Sequence, residues 1–551
     1  MRAPTTLDRT LRRGAERGRG AERGYHVLAW GPGEPRIVRR DLLPADAGPP
    51  AGVRDPVSLA YLAHLTDPQL ADIQSPGRFE FFEALHGRSG YELFYPSARP
   101  QEALALHAAE AAVRTLNRLR ESPETGAALA LGVSTGDNID NAQLNELTWF
   151  LALMAGGEVD QRSGGLRYEG VQDPAWGDPT HWHPDPAPDR YRERWGFPEH
   201  PGLLAEALRP FRAEGLAAPW LSCFGNHDGL ALGNSVPTPA YRDLVVGGRK
   251  PVALPEGLDP AARAMEFHGS PEAFLAGPAR EVTADPARRV VGRREFVEAH
   301  LAAAGQPSGH GFTAANLREG TAYGVHDLVG GPVPVRFVLL DTTNMDGFFE
   351  GSIGRRQMRW LEERLAEVSS RHLDAGGRWV ARAGVRDHLV VLASHHGLHT
   401  MVNGRSDPQG LEDDRPRALA DEVEALVHRF PNVVLWANGH RHVNDVRPRP
   451  DPAGRTAGFW EVSTAAIADW PCQTRLLELV ANGDGTLSVL STVVDADVPA
   501  DPDEAEGLVR LAALHRELAA NDPFGGIETF REGAREDRNV ALLLPAPFPI
   551  G

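Results

Sequence analysis

The sequence predicts an α/β fold, and three observations carry that prediction. Six short apolar runs lie between Val57 and Trp436, stretches with helical spacing separate several of them, and each run ends in a polar cluster. Runs of this length bounded by Gly and Pro read as buried strands. Strand alternating with helix reads as a layered α/β architecture. In such folds ligands gather at the carboxyl ends of strands, where these clusters stand.

In chain order, residues 1–54 are polar and rich in Arg, Gly and Pro. They read as a flexible N-terminal arm with one short strand at Tyr25–Trp30. Val57–Leu65 then runs into Thr66-Asp67-Pro68-Gln69, Ala127–Val133 into Gly136-Asp137-Asn138-Ile139-Asp140, and Pro219–Phe224 into Gly225-Asn226-His227-Asp228. Val333–Leu340 ends at Asp341, His388–Ala393 at Ser394-His395-His396, and Val433–Trp436 at Gly439-His440-Arg441-His442. Apolar residues at helical spacing predict helices over Glu102–Arg120, Gln143–Met154, Arg355–Val368 and Leu419–Phe430. Stretches 141–218 and 229–332 are too long for plain connections and read as two large insertions over the strand ends. Strands are expected at Phe459–Ser463, Arg475–Val480 and Thr486–Val494, with Asn482-Gly483-Asp484-Gly485 as a hairpin turn. Residues 501–551 read as a helical and Pro-rich extension of a catalytic domain spanning about 55–500.

Composition narrows the function. With 57 basic against 75 acidic residues, a net charge of −18, a general nucleic-acid or anionic-membrane surface is not expected. Two cysteines, Cys223 and Cys472, exclude a disulfide framework. No apolar run reaches the roughly 18–20 residues needed to span a bilayer. Arg12-Arg13 is followed by Gly-Ala-Glu-Arg-Gly and not by an apolar segment, so a cytoplasmic location is expected.

Asp67, Gln69, Asp137, Asn226, His227, His395, His440 and His442 gather the chemistry. Carboxylate, imidazole and amide oxygen suit a pair of borderline divalent or iron ions, not calcium and not a thiolate site. A shared carboxylate holding two ions about 3.5–4 Å apart would serve an in-line displacement by a metal-activated hydroxide. The group that protonates the leaving oxygen must then be a non-ligand, and His227 beside Asn226 is placed for it. His396, Asn138, Asp469 and Trp470 are candidates for contact with substrate.

As a set, Asp67-x-Gln69, Gly136-Asp137-x-x-Asp140, Gly225-Asn226-His227-Asp228, His395 and Gly439-His440-x-His442 resemble the five motifs of calcineurin-like metallophosphoesterases, in order. The resemblance covers the chain from about 57 to 495 without the two insertions. It implies a sandwich of two mixed β-sheets flanked by helices, with a dinuclear Mn, Fe or Zn centre. Carried over by motif, Asp67, Asp137 and His442 would hold the first metal, with Asp137 bridging. Asn226, His395 and His440 would hold the second, and His227 would donate the proton. The family usually carries Asp-x-His in its first motif, where this chain has Gln69. Glutamine either ligates through its oxygen or only hydrogen-bonds, and both are weaker than imidazole ligation. The expected activity is hydrolysis of a small phosphorylated substrate, a phosphodiester or nucleotide-type ester. A non-catalytic scaffold of the same fold that binds a phosphorylated ligand is the alternative.

Overall fold

The computed structural model describes residues 2–44, 56–91, 94, 97–410 and 414–550. Thirteen strands build two mixed sheets. In chain order they are β1 (Ile37–Arg39), β2 (Val57–Leu65), β3 (Leu131–Ser134), β4 (Trp220–Ser222), β5 (Gly324–Leu328), β6 (Val335–Leu340), β7 (Leu389–Ser394), β8 (Val433–Asn438), β9 (Asp445–Arg449), β10 (Phe459–Ser463), β11 (Gln473–Ala481), β12 (Thr486–Asp495) and β13 (Val540–Pro545). The first sheet runs β1-β13-β12-β11-β2-β3-β4 and the second β5-β6-β7-β8-β10-β9. Within the first sheet β2, β3 and β4 are parallel neighbours. Within the second, β6, β7 and β8 are parallel neighbours.

Side chains alternate along these strands, so each sheet is apolar on both faces. Leu62, Val133 and Leu477 of the first sheet meet Phe337, Val391 and Leu435 of the second in one inner core. The opposite face of β2, with Tyr61, Ala63 and Leu65, packs on helices α1 (Ala105–Asn117), α2 (Leu144–Ala155) and α3 (Arg293–Ala302). The outer face of the second sheet, with Val338, Leu340 and Leu392, receives α4 (Arg355–Ala366) and α5 (Ala420–Val427) through Leu361, Leu365, Val423 and Val427. Each such buried apolar side chain contributes about 1.5–3 kcal/mol. The result is a sandwich of two mixed sheets flanked by helices. Among the described residues no helix is long and apolar enough to cross a membrane.

Three segments differ from the sequence-based expectation. Residues 45–54 of the expected arm lie outside the described residues, but Arg9–Arg19 and Gly24–Pro32 pair as an antiparallel hairpin and β1 joins the first sheet. The arm's charges, which suggested a solvated leader, instead face acids from the far end of the chain. Arg9 meets Asp497 at 2.6 Å, Arg17 meets Asp503 at 2.8 Å, and Arg13 meets Glu528 at 2.9 Å. The second long stretch, 229–332, is not all peripheral: α3 and β5 belong to the layers, and Arg293 of α3 pairs with Asp341 and Asp407 at 2.5 and 3.2 Å. Residues 501–551 hold the expected helix, α6 (Gly507–Asn521), and also β13, which pairs with β12 inside the first sheet. Its run Val540–Leu544 is short and lies among prolines, which hid it.

Candidate metal centre

Five strand ends converge. Asp67 and Gln69 follow β2, Asp137 follows β3, Asn226 and His227 follow β4, His395 follows β7, and His440 and His442 follow β8. The backbone leaves the sheets sharply there: Asp67, Gln69, Asp137, His440 and His442 have φ of 49°, 40°, 49°, 70° and 55°. Non-glycine residues in this left-handed region are uncommon and cost about 1–3 kcal/mol each, so five together mark a backbone held for function. Gly439 is required by close approach, because Thr66 Oγ1 and the Asp67 carboxylate occupy the place a Cβ would take. That packing lets the His440 N–H donate to Asp67 Oδ2 at 3.1 Å. Gly225 makes the same room for the Asp137 carboxylate, to which the His227 N–H donates at 2.8 Å.

The hydrogen-bond network assigns the ring protons. His442 Nδ1 lies 2.6 Å from Asp469 Oδ2, so Nδ1 donates and Nε2 presents a lone pair. That lone pair faces Asp67 Oδ1 at 3.2 Å. His395 repeats the arrangement, with Nδ1 donating to the Thr135 carbonyl at 2.9 Å and Nε2 facing Asp137 Oδ2 at 3.0 Å. A lone pair aimed at a buried carboxylate calls for an extra proton or a cation between them. Although within ion-pair distance, His395 Nε2 has no hydrogen-bond geometry to any described residue, and Asp67 Oδ1 and Asn226 Oδ1 are likewise sealed without a partner among them. Such buried orphans are rare unless a ligand satisfies them. Asn226 turns its oxygen inward by donating from Nδ2 to the Gly233 carbonyl at 2.9 Å. Ligand atoms of Asp67, Asp137 and His395 lie within 4.8 Å of one another. This set of N and O donors without thiolate fits borderline divalent or iron ions.

Electrostatics agree with that fit. Burial opposes a charged His395, but Asp137 and, behind it, Asp67 outweigh burial and raise the ring to about 9. The two carboxylates thus favour positive charge at this spot. Burial also opposes ionised Asp137, yet His395 and His227 hold it well below the usual carboxylate range. His440 moves the other way: burial first, then His396, His395 and Arg441, push it down. It stays neutral and keeps a lone pair to offer.

His227 stands apart from this set. Its Nδ1 donates to the Asp140 carbonyl at 2.6 Å, and the Asp140 carboxylate is 3.4 Å from the same nitrogen. Burial disfavours the charged ring, but Asp137 and Asp140 prevail and raise it to about 9. Arg78 holds Asp140 in turn, as one link of a buried ladder that continues through Glu80 to Lys250.

Gln69 is placed differently from a ligand. Its oxygen accepts from Arg99 Nη2 at 2.7 Å, and its Nε2 faces Asp137 Oδ2 at 3.4 Å. The oxygen through which an amide ligates is therefore engaged by a cation, with one lone pair left over. Of the four expected substrate contacts, His396, Asn138 and Trp470 spend their polar atoms inside the protein, and Asp469 lines the cavity. Both nitrogens of His396 are used, Nε2 donating to the Phe349 carbonyl and Nδ1 accepting from Thr342 Oγ1, each at 2.8 Å. This excludes His396 as a ligand, although it lies within ligand distance of His395 and His440. Asn138 is buried and braces Asp228 and Ser134. Trp470 is buried and donates to Glu532 at 2.9 Å. At the cavity wall, the Asp469 carboxylate takes His442 Nδ1, Arg99 Nε at 2.6 Å and Arg531 Nη1.

A cavity of about 280 Å³ opens onto this centre. Asp137, Asn226, His227, His440 and His442 line one side, and Leu232, Phe349, Arg99, Arg441 and Arg531 contribute to the rest. Sequence reading missed Arg99 and Arg531, since neither lies in a motif or at a strand end. No family model matches the sequence, and no curated protein matches it. Among solved structures the chain is similar to the purple acid phosphatase PPD1 from yellow lupin (Lupinus luteus) seeds, with a TM-score of 0.28 and 12% identity. That match covers 85% of this chain and 56% of the lupin chain, so this chain spans little more than half of its length.

Proposed function

We propose that this protein hydrolyses small phosphate esters at a centre for two metal ions. Asp67, His442 and Asp137 would hold one ion, and Asn226, His395 and His440 the other, with Asp137 shared. The observation that carries the reading is the pair of imidazole lone pairs aimed at Asp67 and Asp137 across 3.2 and 3.0 Å. When bound, such ions act as Lewis acids toward a phosphoryl oxygen and lower the pKa of water. The protein's own groups do the rest. Asp469 and the Thr135 carbonyl fix the rings of His442 and His395 in the tautomers that ligation needs. Asp140 fixes the His227 ring so that its Nε2 proton is available to a departing ester oxygen. Arg441 and Arg531 lend positive charge to an anionic ester at the cavity wall. A cavity of about 280 Å³ suits a diester or nucleotide-sized substrate better than a phosphorylated protein segment.

The test joins metal quantification to a panel of phosphomonoesters and phosphodiesters on one preparation. Two ions per chain with turnover of at least one ester is the expected result. A folded protein that takes up no metal and turns over no ester overturns the reading.

A further inference from the structure

Glu350, in the loop after β6, has no place in the motif set, yet its carboxylate comes to His440. Its Oε2 lies 3.8 Å from His440 Nε2, and its Oε1 lies 3.9 Å from Arg441 Nη1. Both Glu350 Oε2 and His440 Nε2 are sealed from solvent without a hydrogen-bond partner among the described residues. Glu350 makes no hydrogen bond to any described residue, so nothing else ties its side chain down. Phe349, the preceding residue, lies against the His440 ring with centroids 6.3 Å apart, which sets the loop beside the imidazole.

We propose that Glu350 is a positioning residue, the acceptor that takes the Nε2 proton of His440 when that ring binds its ion through Nδ1. The proposal rests on the metal-centre reading above. A neutral imidazole that ligates through one nitrogen carries its proton on the other, and metal-bound histidines nearly always donate that proton to a carboxylate, a carbonyl or water. His440 Nδ1 makes no hydrogen bond to any described residue, and the ring lines the cavity. Nε2 points away from water, with Glu350 Oε2 the facing acid. A shift of the loop by less than 1 Å closes the 3.8 Å gap to hydrogen-bond length. The two histidines of Gly439-His440-Arg441-His442 are then built alike. His442 already rests on Asp469 at 2.6 Å, and His440 has Glu350 poised behind it.

Metal-stripped wild type, E350A and E350Q are titrated with Mn²⁺ by calorimetry, with thermal melts as the check on folding. E350A is expected to bind one of the two ions about 10–100-fold more weakly and the other unchanged. E350Q, whose amide oxygen still accepts from Nε2, is expected to recover most of that loss. Wild-type affinities in E350A, or an E350Q no better than E350A, overturn the role of Glu350 alone. A wild type that binds no ion overturns the metal centre itself.

Discussion

Replacing Asp469 by asparagine tests whether the centre depends on the group behind its ligand. Asp469 Oδ2 holds His442 Nδ1 at 2.6 Å, and the same carboxylate takes Arg99 and Arg531. Alanine there would strand a buried guanidinium and cost about 3–5 kcal/mol of stability, which would confuse the result. Asparagine keeps the shape and one acceptor oxygen while removing the charge. A hydrogen bond to a charged acceptor is worth about 1.5–3 kcal/mol, against roughly 1 kcal/mol for a neutral one. The His442 ion should therefore bind about 2–30-fold more weakly, the upper part of which overlaps the span seen when outer partners of metal-bound histidines are lost. The His395 and His440 ion has its own supports and should keep its affinity to within about threefold, the size of small residual couplings between sites. Calorimetric titration of the stripped variant resolves the two events. Two wild-type affinities in Asp469→Asn would refute the idea that this carboxylate orients a ligand, and equal weakening of both would show that the sites are not separable.

Asp137→Asn should remove most bound metal and nearly all hydrolysis, because on the proposed reading one carboxylate would serve both ions; metal content and turnover are read on the same sample. His227→Ala should slow esters with alkoxide leaving groups by about 10²–10⁴-fold and a nitrophenyl ester far less, since only the former need a proton. Equal losses in a two-substrate assay would assign His227 to positioning. Gly439→Ala should lose metal, because a methyl group there collides with Thr66 and Asp67; metal content of the folded fraction is the readout. Burial, with Asp522 adding to it, raises Glu83 to about 8. The folded state therefore holds a proton that the unfolded state releases near 4.3, and stability falls as pH rises from there to about 8. Glu83→Gln should flatten that fall in thermal midpoints taken between pH 5 and 8.5.

The layers and the convergence of the candidate site were legible because both leave local marks. Each central strand is an apolar run, and each candidate site residue sits within a few residues of its end, so Asp137 and His395 could be placed at one site without knowing how the chain crosses. What lay outside that reach depends on contacts far apart in sequence. Arg99 meets Asp469 across 370 positions, and Arg13 meets Glu528 across 515. Nothing local distinguishes such arginines from solvated ones. Val540–Pro545 was passed over for a related reason, since it becomes a strand only by pairing with β12. The substrate candidates failed on direction: His396, Asn138 and Trp470 adjoin motif residues, but their side chains turn into the interior and spend their polar atoms there.

Gln69 and Arg99 are best understood as one unit. At the position where the resembling family carries imidazole, this chain has a neutral amide, and the amide oxygen is spent on a buried guanidinium. That guanidinium is also an anchor of Asp469 and hence of His442. The proposed first site thus has a weaker donor here than imidazole, while Arg99 fixes the acceptor behind His442. Arg99 lies within 3.6 Å of Glu102 and 3.9 Å of Asp140, so its charge is shared with the acids that also steady Arg78 and His227. A histidine at position 69 would remove the oxygen that Arg99 Nη2 uses and set an imidazole against that guanidinium. On this logic Gln69→His alone cannot restore the commoner ligand set. Only together with a neutral, unbranched residue in place of Arg99 could the ring turn toward Asp137, and the double change would still leave Asp469 with Arg531 as its one arginine.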